Sequence, residues 1–179
     1  MKLLRTIRLD ASDTFIYERA AEPGEWAVSG AFMFWDYDPA ALEGKARSAF
    51  RGGFLGVASL GWSTLAQICD ANEEDRHAVI DMLARHLMRD FGAPDRDAAR
   101  GAAAEEVAFA ESLCTHPLDT LIAVHRSSAG GEVREAFRSL RPRDGAKPLR
   151  AFSFLEVEGE DEQPADPVDL IAMAEREHK

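Results

Sequence analysis

At 179 residues, with 46% hydrophobic and 30% charged side chains, the chain suits one domain with its own core, burying about two thirds of its unfolded surface. A formal net charge of −11 excludes a general affinity for DNA, RNA or anionic lipid, each of which needs a basic surface. Two cysteines, Cys69 and Cys114, make no disulfide framework, which points to a reduced, cytoplasmic setting; no apolar run reaches the length of a membrane span.

Residues 3–9 alternate as a strand does. Arg5, Arg8 and Asp10 interrupt any apolar run there, so the segment does not read as a signal peptide. Turn residues at 10–13 lead into a second strand over Thr14–Tyr17. Pro23-Gly24 suits a type II turn, and Trp26 to Trp35 reads as a longer aromatic strand. Asp38-Pro39 opens a short helix that Gly52-Gly53 ends. Two strands then flank Gly61.

Asp70 or Asn72 caps the next helix, with Glu73 or Asp75 in the capping-box position. Its apolar stripe is Val79, Met82, Leu83, His86 and Leu87, and Gly92 and Pro94 stop it. A helix starting at Asp95 or Asp97 carries Ala99, Ala103, Val107, Ala110 and Cys114 on one side. So many alanines imply close approach to a neighbouring layer. Leu121 to Val124 is apolar throughout, as expected of a central strand covered on both faces. Glu132–Leu140 is expected to be a helix and Leu149–Val157 a last strand. Residues 159–179 read as an acidic linker and a terminal amphipathic helix. The fold expected over residues 1–158 is a single α+β domain, a mostly antiparallel sheet of roughly six strands with helices packed on one face.

The residues that carry chemistry are few. Cys114, His116 and Asp119 form the candidate metal set, because soft sulfur and imidazole suit zinc or copper. No second ligand pair stands near them, as a zinc signature requires, and Cys114 equally fits a small buried apolar position. The same Cys114 and His116 also form a candidate nucleophile and base. His125 stands roughly 20 Å further along the next strand if extended. Gly56 to Ser63 has the outline of a phosphate loop, but Trp62 occupies the lysine position, so a hairpin corner with glycine at positive φ is the better reading. Trp35, Gly56, Gly61 and Trp62 remain as candidate small-molecule contacts. Glu105, Glu106 and Glu111 point in different directions around a helix and read as solvated. The densest basic run, Arg134 to Arg150, also reads as a solvated face.

The stretches MKLLRTIRLDASDTF, EPGEWAVSGAF, GFLGVASLGWSTL and AESLCTHPLDTLIAVHR resemble an uncharacterised bacterial family of about this length. The resemblance implies a stand-alone domain and, more loosely, an accessory role beside redox or cofactor-handling enzymes. It brings no catalytic residues and no cofactor. The residues present no complete catalytic constellation. The reading that follows is a non-catalytic accessory or protein-binding domain, partnered by another protein or by a second copy, with no nucleic acid and no membrane. The alternative is a metal- or small-molecule-binding enzyme or sensor.

Overall fold

In the computed structural model, which describes residues 1–129, 132–142 and 155–158, eight antiparallel strands form one sheet. They are β1 (Lys2–Ile7), β2 (Trp26–Val28), β3 (Phe54–Gly56), β4 (Trp62–Ser63), β5 (Leu65–Asp70), β6 (Leu121–Ala129), β7 (Glu132–Pro142) and β8 (Leu155–Glu158). The spatial order is β4-β3-β2-β1-β5-β6-β7-β8. Leu3 and Leu4 point to opposite faces and both are buried, as a strand in mid-sheet demands.

Two helices, α3 (Glu73–Asp90) and α4 (Arg96–Ser112), pack on each other, and α4 lies across one face of the sheet. The expected capping box forms: Asp75 N–H donates to Asn72 Oδ1 at 2.9 Å, and Asn72 N–H donates to Asp75 Oδ2 at 3.1 Å. The stripe Ala99, Ala103, Val107, Ala110 is buried in full. Small side chains there let α4 settle closely onto β1 and β2.

The sheet curls around α4. Phe54 on β3 and Phe137 on β7 lie 6.2 Å apart although four strands separate them in the sheet order. The cause is a difference in strand length. The register of β5 on β6 ends at Leu65↔Ala123, whereas β6 stays paired with β7 out to Ala129↔Glu132. The free ribbon twists more strongly than a full sheet. It bends back until its residues reach α2 (Gly44–Gly52).

Several expectations are overturned. Glu132–Leu140 is a strand, not a helix. Its apolar residues Val133, Phe137 and Leu140 fit a helical spacing, but pairing with β6 along its whole length satisfies the backbone of both segments. The sequence signal for it was the pair Gly130-Gly131, of the composition that joins paired strands. Of the strand expected over Thr14–Tyr17, all but Tyr17, the C-cap, lies in a one-turn helix, α1 (Ser12–Ile16), because Asp13 turns inward and accepts from the Thr64 hydroxyl at 2.6 Å. The aromatic strand stops at Val28. Gly30, with φ 78°, turns the chain into a short 3-10 helix over Ala31–Phe34. Asp38 caps only a turn, by accepting from Ala40 N–H, and the following helix begins at Gly44. In β6, Ile122 and Val124 are buried while Leu121 and Ala123 are half-exposed, so the second face is covered only thinly there. Its cover lies at the β2–β4 end, where Phe34 stacks on Trp62 at 5.2 Å and meets Phe50 of α2 at 5.3 Å. The reading of residues 159–179 as linker and helix lies outside the described residues.

Candidate functional site

The expected metal set is dispersed into structural roles. Cys114 is buried at the end of α4, its Sγ donating to Ala110 O at 3.4 Å. Burial pushes its thiol up to about 11, so near neutral pH it is not a ready nucleophile. His116 lends its carbonyl to the Lys2 ammonium at 2.6 Å. Asp119, at φ 65°, accepts from Gln67 Nε2 at 2.8 Å. Among the described residues no group of three or more His, Cys, Asp or Glu is placed to hold a metal ion.

The glycine hairpin forms as β3 and β4, but its glycines serve chain packing. Positive φ falls on Leu60 (54°), not on Gly61. A Cβ on Gly61 would lie 2.6 Å from the Ala20 carbonyl, because residues 19–21 run alongside the hairpin and exchange hydrogen bonds with Trp62. A Cβ on Gly56 would meet Ala21 and Glu25 at 2.8 Å. Trp62 itself is buried under Phe34. We expect Gly61→Ala to cost roughly 1–3 kcal/mol, as overpacking against backbone does; chemical denaturation measures it, and an unchanged midpoint would show that the neighbouring chain yields.

Of the expected contacts, Trp35, 78% exposed, belongs to a half-open cavity of about 400 Å³, while Trp62 lines a separate one of about 440 Å³. The 3-10 helix and its C-cap supply Phe32 and Trp35 to the wall of the first, and the last turn of α3 and its C-cap supply Leu87 and Phe91. Phe32 and Phe91 meet edge to face at 5.6 Å. α4 contributes the floor with Ala98, Ala102 and Glu106.

Glu106 is the chemically distinctive group. Sequence spacing placed it among solvated acids, but it stands three residues after Ala103 and one before Val107, at the edge of the buried stripe. Its Oε2 is buried and has no hydrogen-bond partner among the described residues. Burial, then the nearby Glu135 carboxylate, push its pKa up to about 7, against a smaller opposing pull from Arg126. It is therefore a carboxyl that changes protonation near neutral pH at the wall of an apolar pocket, the combination found at ligand and proton-transfer sites.

Behind it lies Arg126, 1% exposed. The alternation Ile122, Val124, Arg126 carries it to the inner face of β6. Its Nη1 donates to Phe50 O at 3.1 Å and Gly53 O at 2.8 Å, closing off carbonyls at the end of α2. Its Nη2 donates to Ser29 O, and its Nε to Glu135 at 2.7 Å. The Ser29 hydroxyl also donates to Glu135. This one side chain ties β2, α2, β6 and β7 together. In sequence it stands near the Cys114 and His116 candidate and was given no role, although a charged residue in the inward phase of a strand was a visible signal.

Residues 1–155 match one protein family. The chain belongs to DUF6505, a family of unknown function. The DUF6505 region takes in β1 through β7 and the four α-helices of the described residues, hence both the cavity and the Arg126 cluster. No curated protein matches the chain, and no solved structure matches it.

Proposed function

We propose that this chain is a binding domain for a small, largely apolar molecule that carries one amine or other hydrogen-bonding group. The observation behind the reading is the unpartnered Glu106 carboxyl at the wall of the aromatic cavity. As a carboxylate it offers an acceptor and a counter-charge to an ammonium group. Protonated, it offers a donor to a carbonyl. The aromatic walls supply apolar area and favour a cation near their faces. A sensor or accessory role follows more readily than catalysis, since no nucleophile stands beside Glu106 in the cavity lining. Free cysteines favour a cytoplasmic setting for it.

The test uses Trp35 emission with 4-phenylbutylamine and its uncharged counterpart butylbenzene as probes. A saturable change that is stronger with the amine is expected. Ala102→Phe, at an exposed position of the cavity floor, should abolish the response by filling the space. No saturable response to either probe, or an undiminished one in Ala102→Phe, would sink the reading.

A second reading, docking onto a protein partner or a second copy, draws support from exposed Leu9, Phe15 and Ile16 around α1. Sedimentation of Phe15→Ser against the parent chain tests it; equal association would count against that surface.

A further inference from the structure

We infer that a second site, separate from the aromatic cavity, binds a small oxyanion with several charged oxygens, phosphoryl or carboxylate. It lies where α2 faces the free end of the β6–β7 ribbon. Arg47 and Arg51 stand one turn apart on the exposed side of α2. Both line a concavity of about 470 Å³ together with His125, Ser127 and Ser128 of β6. Arg134 on β7 is the cross-strand partner of Ser127, which puts its Cβ about 5 Å from that serine's on the same face.

These three arginines gather positive charge at one place in a chain of 32 acidic side chains against 21 lysines and arginines. Arg76, Arg89, Arg100 and Arg126 each form an ion pair. Arg47, Arg51 and Arg134 have no ion pair among the described residues. Arg47 and Arg51 repel each other at their i, i+4 spacing, and an added anion relieves that repulsion. The one acid on the lining, Asp38, already has an oxygen on the Ala40 amide. Arg126 sits at the base of the concavity, but its donors are committed to three carbonyls, Ser29 and Glu135. What stays available is two guanidinium forks on one side and a serine hydroxyl, an imidazole and a third guanidinium on the other. Planar forks suit paired oxygens, and charge-assisted bonds of this kind are the strong ones. A long polyanion is disfavoured by the net charge of −11, so the ligand is a small molecule.

Isothermal titration of the full chain with inorganic pyrophosphate, and separately with citrate, tests the site. Saturable one-site binding is expected for at least one of them. The tighter of the two identifies the chemistry as phosphoryl or carboxylate. Arg47→Gln and Arg51→Gln should each weaken it about tenfold or more, and Arg134→Gln should also weaken it. All three side chains are exposed, so circular dichroism should confirm an unchanged fold. Arg85→Gln, an exposed cation on α3, should leave affinity unchanged. The inference is overturned if neither anion binds saturably, if the Arg47/Arg51 double variant binds as the parent does, or if Arg85→Gln weakens binding equally.

Discussion

Arg126→Met is expected to destabilise the domain by about 3–5 kcal/mol, the range found when one partner of a buried ion pair is removed. Methionine keeps much of the volume but none of the five donors. The Glu135 carboxylate, 18% exposed, would lose its counter-charge. The carbonyls of Ser29, Phe50 and Gly53 would be left without the guanidinium that bridges them. Because those groups lie at the ends of β2 and α2 and on β7, the loss should be cooperative rather than local. Urea denaturation with two probes, the tryptophans and far-ultraviolet dichroism, measures it. Arg126→Lys restores the charge but cannot reach all four partners, so only part of the stability should return. A methionine variant within about 1 kcal/mol of the parent would show that water replaces the guanidinium without penalty.

The second large effect is a pH dependence centred on Glu106. Its pKa rises from an ordinary 4.5 to about 7 in the folded chain. At pH values below 4.5 both folded and unfolded states hold the proton, and the group neither helps nor hurts. Between the two values the unfolded chain releases the proton while the folded chain keeps it, so stability falls as pH rises. Above about pH 7 the full cost applies, on the order of 3 kcal/mol from the size of the shift. Glu106→Gln removes the ionisation and keeps the shape. It should therefore exceed the parent in stability by up to about 3 kcal/mol near pH 8 and differ little near pH 4. Denaturation of both proteins at the two pH values decides it. A gap that does not widen with pH would mean that Glu106 ionises as a solvated carboxylate does. A ligand ammonium in the cavity would offset the same cost, so the parent should gain more stability from 4-phenylbutylamine near pH 8 than Glu106→Gln does.

The two effects have a common origin in the curl of the sheet. Because β6 and β7 outrun β5, the ribbon bends over the inner face and carries Arg126 and Glu135 toward α4. Glu135 then stands close enough to Glu106 to raise its pKa, and Arg126 close enough to moderate it. Had β6 ended at Val124, these groups would lie in solvent.

The helices α3 and α4 were legible in the sequence, together with the Asn72 cap and the alanine stripe, because their cues sit within a few residues of one another. So were β1, the β3–β4 hairpin and the antiparallel α+β class. Local patterns of period 2 or 3.6 determine such elements wherever propensity and burial agree. Where they disagree, tertiary pairing decided. Residues 132–140 have the composition of a helix and became a strand because β6 offered a full ladder of partners. Residues 14–17 have the composition of a strand and became a helical turn because Asp13 anchors on Thr64. The candidate site was less legible still. Cys114, His116 and Asp119 are neighbours in the chain and look like a site, yet each is engaged by a different structural partner. Glu106, Arg126 and Glu135 are separated along the chain and came together only through the curl. A sequence by itself determines which residues share a face of one element; which faces then meet depends on strand length, twist and register summed over the whole sheet.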